Sequence, residues 1–315
     1  MSAIPKVLVP ITIDSTMVTA SSISEPASGE TAWVSSGTYA VADIRYLAAT
    51  HKLYKCTQAH TGRTNAPNTA SELGYYWQDI GATQRYAAFD NLVNTKSTGT
   101  TTITYTILLA TFINSVAFYG LSNVSTVRVV VKDGAGGTVV YDQTTNLIYP
   151  GLGFWEYYHT AATILDRCVM QSIPLVSAPE VSITLTGATG TTIGVGMIAI
   201  GDLRPLFDTT TWGGTQFGSQ AKPTTYSYIK TDDYGVTSII KRGSSTDMSI
   251  KVEFPHGQAD YALATVQSVL DIPAAWVGTD EFGYAGLNVF GLASGTLTYQ
   301  SYNLDVFSID VRGFI

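Results

Sequence analysis

Glu156 and His159, within Phe154-Trp155-Glu156-Tyr157-Tyr158-His159, and the adjacent carboxylates Asp232 and Asp233 are the residues whose types could do acid–base or glycosidic chemistry. Glycosidic cleavage needs two carboxyl groups about 5 to 9 Å apart, one of them with a raised pKa. Neither group meets that demand from its spacing. The aromatic run reads as a strand, in which residues three apart face opposite sides. Asp-Asp-Tyr-Gly between two β-type runs is turn chemistry, with Asp capping its own backbone. The four histidines, His51, His60, His159 and His256, fall one to a segment. None has the i, i+4 partner that would present two imidazoles to a metal on one helix face. Nucleophile-elbow, phosphate-loop and calcium-loop patterns are also missing. The expectation is a protein with no catalytic residues, no metal and no cofactor. Cys56 and Cys168, the two cysteines, read as separate buried thiols rather than a bridge.

The elements that must position these residues belong to a chain of 315 residues, 45% hydrophobic and only 13% charged. At that length about 75% of the unfolded surface can be buried, so hydrophobic cores form without disulfides or metals, and two or three domains are expected. With 17 Lys and Arg against 24 Asp and Glu the formal charge is −7. That balance argues against nucleic acid as a partner, because phosphate neutralisation supplies most of such affinity. No window reaches the roughly 18 consecutive apolar residues of a membrane helix, since Gly194 and Gly196 break the run 193–200. Membrane insertion is therefore not expected. The amino end lacks a basic start followed by an unbroken apolar core, so no signal peptide is read there and synthesis in a cytosol is expected.

Four segments follow from the pattern. Residues 1–30 alternate apolar and Thr/Ser positions between Pro5, Pro10 and Pro26. They read as an extended assembly arm that cannot bury itself and orders on a neighbouring subunit. Residues 31–81 are dense in aromatic and small polar residues. Residues 82–204 are all-β: a β-branched run at 101–109, a hairpin joining 127–131 to 138–142 across the Gly-rich turn 132–137, and a second pair, 181–185 and 193–200, about the turn 186–192. Short strands without a crossover helix predict a jelly-roll-like sandwich. Residues 205–315 open on a Gly-rich loop at 210–218 and continue with strands at 226–230, 236–241 and 248–254. One helix follows at 258–270, with Ala262, Val266, Val269 and Leu270 on one face, and a clearly alternating strand at 304–311 comes near the end. The fold class expected is all-β and multidomain: a small β module, a jelly-roll-like β-sandwich, and a mainly β domain with one helix.

In the second segment Ala32-Trp33 is followed by Gly37-Thr38-Tyr39-Ala40-Val41-Ala42-Asp43-Ile44, then Leu53-Tyr54-Lys55-Cys56, Ala59-His60-Thr61, Pro67 and Trp77. The series resembles the small chitin-binding carbohydrate modules of bacterial chitinases. Their pattern runs Trp, Tyr, a Gly-Asp-x-Val strand, a hairpin, Tyr-x-Cys/Ala, an Ala-His-Thr corner, Pro and a closing Trp. Ala42 stands where that family has Gly, and 48–52 replaces its tighter Asn-Gly hairpin. The resemblance implies a glycan ligand stacked on exposed rings, the apolar C–H face of a sugar lying on an aromatic face. The candidate platform is Trp33, Tyr39, Tyr54, Tyr76 and Trp77, with Asp43, Gln58 and His60 orienting hydroxyls. A second reading stands beside it: Trp33, Tyr54 and Trp77 fill a miniature core, and His60 is a corner residue bonded to backbone. At least one of Tyr75 and Tyr76 is expected to point outward.

Residues 84–91 (Gln-Arg-Tyr-Ala-Ala-Phe-Asp-Asn), Phe118-Tyr119-Gly120-Leu121, Trp155-Glu156-Tyr157-Tyr158 and 226–235 (Tyr-Ser-Tyr-Ile-Lys-Thr-Asp-Asp-Tyr-Gly) carry a further resemblance. It is to a family of tailed-bacteriophage virion proteins. There an Asn-Arg-(Trp/Tyr)-Ala-x-Phe-Asp opening leads a jelly roll and a Tyr-Ser-x-Lys-x-x-Asp-x-Phe-Gly hairpin follows in the last domain; here Gln84 replaces the Asn and Tyr234 the Phe. The resemblance implies a structural component of a tail tip, baseplate or attached fibre, assembled in the host cytoplasm. Its implied partners are other tail and baseplate proteins, further copies of itself and a host-surface glycan. The competing expectations are a secreted or cell-surface accessory carbohydrate-binding protein and a polysaccharide depolymerase.

Overall fold

The computed structural model describes residues 4–149, 153–159, 163–208, 212–279, 281 and 283–314, and the side chains of Glu156 and Tyr157 lie outside that description. The chain is mainly β and multidomain, with 48% of it in strands. Most strands belong to two sheets. The longer runs in the order Cys168–Met170, Ser115–Tyr119, Met197–Pro205, Lys6–Pro10, Ala274–Val277, Asn288–Tyr299, Leu304–Gly313, Ser244–Pro255 and Gly214–Thr215, with Gln220–Thr225 also on Ser244–Pro255. The shorter runs Val139–Asn146, Val124–Lys132, Glu180–Gly187, Thr102–Leu108 and Val18–Ser21.

Successive strands of the middle segment alternate between the two sheets, as in a jelly roll. The chain goes from Thr102–Leu108 across to Ser115–Tyr119, back for Val124–Lys132 and Val139–Asn146, across to Cys168–Met170, back to Glu180–Gly187 and across to Met197–Pro205. The period-two patterns decide which side chains meet. Ile103, Tyr105 and Ile107 from one sheet, with Val127, Val129 and Val131, pack against Val116, Phe118, Ile198 and Ile200 from the other. The far half of the long sheet curls round the helix Ala259–Gln267, whose Ala262 and Val266, with Val269 just beyond it, fill a second core with Ile250, Phe254, Trp276 and Phe307.

Residues 6–21 correct the expectation of a self-exposed arm. Lys6–Pro10 is an internal strand of the long sheet, with Leu8 opposite Leu203 on one side and Ala275 on the other. Val7 joins the core around the helix, while Leu8 joins a third cluster with Tyr119, Leu203 and Phe290 on the opposite face. Pro5 and Pro10 bracket this strand rather than interrupt it, which a missing N–H permits. Val18–Ser21 then pairs at the edge beside Thr102–Leu108. The boundary expected at residue 204 falls inside Met197–Pro205, so the middle and last segments share one sheet.

The predicted hairpin 127–131/138–142 is present, with Lys132 opposite Val139. The expected pairing of 181–185 with 193–200 is not. Glu180–Gly187 lies between Val124–Lys132 and Thr102–Leu108, Thr192–Val195 pairs Ser97–Thr100, and Met197–Pro205 crosses to the long sheet. Phe154–His159 is a short α-helix rather than a strand. Its Phe154, Trp155 and Tyr158 are exposed, and rings four apart meet along it, Phe154 with Tyr158 at 4.8 Å and Trp155 with His159 at 4.1 Å, the spacing of a helix face. The side chain of Glu156 and the start of the loop at 210–211 fall outside the described residues. Among the described residues no helix is long and apolar enough to cross a membrane.

Candidate carbohydrate-binding surface

The module folds around three antiparallel strands, Ile44–Leu47, Lys52–Cys56 and Trp77–Ala82, and a two-residue ladder of Thr38–Tyr39 with His60–Thr61. So short a sheet buries few aliphatic residues, and its core is made of rings and a thiol: Tyr39, Tyr54, Cys56 and Trp77. The Tyr39 ring meets Trp77 edge-on at 5.0 Å between centroids. Its hydroxyl accepts the Val34 N–H at 2.8 Å and donates to the Val34 carbonyl at 2.7 Å, pinning the loop before Gly37. A Cβ at Gly37 would stand 2.7 Å from that hydroxyl, which is why glycine occupies the turn. Burial holds the Cys56 thiol above its ordinary pKa, as expected of an inert core thiol.

These positions divide the candidate platform. Tyr39, Tyr54 and Trp77 are buried, so no sugar can lie against their faces, and the core reading is correct for Tyr54 and Trp77. Trp33 and Tyr76 are half-buried at the margin of the same cluster. Asp43 closes its own turn, accepting the Ala40 N–H at 3.2 Å and pairing with Arg45 at 3.2 Å. His60 is the corner residue of the alternative reading: its Nδ1 bonds the Gln58 carbonyl at 2.9 Å, and its ring lies 5.3 Å from both Tyr76 and Trp77. The Cys56 thiol donates to that same carbonyl at 3.2 Å. The backbone oxygen of Gln58 is thereby occupied, and its side chain is exposed.

What faces solvent beside this corner is a ring the platform set omitted. Tyr75 is 69% exposed. Hydrogen bonds hold the turn that carries it, from Tyr75 N–H to the Glu72 carbonyl at 3.2 Å and from the Thr57 hydroxyl to the Tyr75 carbonyl at 2.9 Å. Next to it the Arg63 guanidinium lies over the Tyr76 ring at 3.8 Å from its centroid. Arg63 is fixed in turn by the fully buried carboxylate of Glu72, which accepts from its Nε at 2.9 Å on both oxygens. That hydrogen bonding, together with the carboxylate charge, raises the guanidinium pKa further. One face of Tyr76 is thus covered by a cation, and Tyr75 is the open ring.

No family model, curated protein or solved structure matches this chain. The chemistry of the surface therefore rests on its own geometry: an exposed phenol ring, a second ring capped by a guanidinium, and the free amide of Gln58 around one corner. Exposed rings beside planar polar groups suit ligands with one apolar and one hydroxylated face. Tyr75 was legible only as one of two tyrosines of which at least one points outward. The alternation rule does not apply across a turn, so it could not choose between them. Arg63 carried no sequence signal.

Proposed function

We propose that the chain is a structural component of a bacteriophage tail tip, baseplate or attached fibre, and that it displays the module at 31–81 to bind a host-surface glycan. The reading is supported by the two sequence resemblances and, above all, by the open Tyr75 ring at the Gln58–His60 corner of a domain with its own core. In this reading the chain binds and assembles and does no covalent chemistry. A single module binds weakly, and many copies on one particle raise the apparent affinity through avidity.

A glycan array probed with the full-length protein tests the ligand. Wild type is expected to retain host-surface polysaccharide or chitin oligomers, while Tyr75→Ala loses the signal at an unchanged melting temperature and Trp77→Ala loses it by unfolding the module. Binding unaffected by Tyr75→Ala would remove the platform. Mass spectrometry of purified particles tests the address: the chain should be present at stoichiometric levels, and its absence would rule out the virion assignment.

A further inference from the structure

Gln220–Thr225 pairs with the start of Ser244–Pro255 as far as Thr225 opposite Ser244. The ribbon then leaves the sheet. Tyr228–Thr231 and Thr237–Ile240 continue it as a two-stranded hairpin, closed where Asp232 Oδ1 accepts the N–H groups of Tyr234 and Val236 at 3.0 and 2.8 Å. Every residue from Tyr228 to Arg242 is exposed. Ile229 stands opposite Ile239 on one face and Tyr228 opposite Ile240 on the other, with exposures of 40–67%. Among the described residues no strand pairs with either of its outer edges. An isolated hairpin is at best marginally stable in water, and bare apolar edges invite another chain.

Charge and shape indicate what covers it. The hairpin carries Lys230, Lys241 and Arg242 against its tip carboxylates Asp232 and Asp233, in a chain of formal charge −7, so the rest of the molecule is more acidic than the whole. On the sandwich lies an apolar cleft of about 510 Å³ lined by Met17, Leu108, Leu109, Ala110 and Ala178, among others. Phe112 and Leu175, 60% and 67% exposed, stand two residues after Ala110 and three before Ala178 of its lining. Asp14 lies beside it, its carboxylate accepting from the N–H and the hydroxyl of Thr16 in the lining, and Asp133 stands two residues before the lining Ala135. The neighbouring cation Lys132 is already paired with Glu180 at 2.7 Å. An apolar floor with carboxylates at its rim complements a ribbon of isoleucines flanked by cations.

We infer that the hairpin of one copy docks into this cleft on a second copy of the same chain, with Ile229 and Ile239 entering the floor and the ribbon's cations meeting Asp14 and Asp133. The contact joins two different surfaces, so it is heterologous and builds a ring or an open filament according to whether the rotation closes.

Sedimentation velocity on the full chain, over a concentration series into the high micromolar range, tests the inference. Wild type is expected to associate. Ile229→Lys/Ile239→Lys on the hairpin, and separately Phe112→Lys/Leu175→Lys at the cleft, should each weaken association by ~100-fold, because a charge facing an apolar or like-charged partner costs several kcal/mol. Both variants should melt as wild type does, the substituted side chains being exposed. An equimolar mixture of the two should form a 1:1 dimer and nothing larger, since each retains one intact surface. As a check independent of those variants, Ile229→Cys mixed with Ala178→Cys should give an oxidised dimer, the native Cys56 and Cys168 being buried. Wild type that stays monomeric, association that neither lysine variant weakens, a mixture that stays monomeric, or no cross-linked dimer would each overturn the inference. None of these outcomes bears on the glycan array or on the presence of the chain in particles, so the two proposals fail separately.

Discussion

Ala42 carries a φ of +76°, a conformation in which a Cβ crowds the following carbonyl at a cost of roughly 1–2 kcal/mol. The turn exists because Ala42 N–H bonds the Cys56 carbonyl at 2.8 Å and Cys56 N–H bonds the Asp43 carbonyl at 2.7 Å, locking the corner to the module's central strand. The module resemblance places glycine at this position, and the backbone gives the reason. Ala42→Gly is expected to raise the module's stability by about 1 kcal/mol, the relief of strain outweighing the extra chain entropy of glycine; a lower melting temperature would count against it. Glu180 supplies a pH-dependent counterpart. Its carboxylate accepts from Lys132 at 2.7 Å and from Gly136 N–H at 3.0 Å, and these hydrogen bonds, the Lys132 one foremost, hold its pKa below 4.5. A depressed carboxylate pKa contributes stability above the unfolded value, and that contribution is lost as pH falls through the folded value. Glu180→Gln should therefore melt lower than wild type near neutral pH, by about 0.5 kcal/mol as for a partly exposed pair. The gap should close on acidification below pH 4.5; a gap that persists there would mean the carboxylate charge contributes nothing.

At the scale of elements, the strand Lys6–Pro10 has the largest consequence. A strand with neighbours on both sides supplies backbone partners to both, and its two faces here enter different cores. Deleting residues 2–27 should leave the chain unfolded or aggregated on size exclusion, and Leu8→Ala should cost about 3 kcal/mol in chemical denaturation. A deletion mutant that melts like wild type would return these residues to the role of a free arm. The difference from the sequence reading is physical. Alternation in Lys-Val-Leu-Val-Pro gives a strand, but its partners lie near residues 203 and 275, and no local pattern names them. Where strand and partner are joined by a short turn, as in Val124–Lys132 with Val139–Asn146, the pairing was legible. So was the burial of Phe307, Ile309 and Val311 within Leu304–Gly313, because one face of that strand is core and the other is not. Phe154–His159 misled because aromatic residues favour strands only where a sheet is there to receive them.

For the whole molecule, the all-β, multidomain class was open to the sequence, while the shared sheet and the exposure of Tyr75 were not. A small domain must fill its core with the residues it has, so matching Trp33, Tyr54 and Trp77 to a family pattern left open whether those rings bind or pack. Burial decides it for Tyr54 and Trp77, and burial is a property of the assembled fold. The module's core is separate from the three clusters of the body. The joint between them centres on His51: its Nδ1 and the Thr83 hydroxyl each lie 2.8 Å from the Glu25 carboxylate, its carbonyl accepts the Thr83 N–H at 2.9 Å, and its ring lies 4.4 Å from that of Tyr86 on the body's core. Two separate cores joined at one such point should melt as two cooperative units. Scanning calorimetry of the full chain is expected to show a small transition for the module and a larger one for the body. Trp77→Ala removes a fully buried ring at a cost of about 3–5 kcal/mol, comparable to the whole stability of a domain this small, and should abolish the small transition while leaving the larger in place. Tyr75→Ala should leave both. A single transition that Trp77→Ala moves as a whole would mean that the joint transmits folding between module and body, and that the module is not an independent display domain.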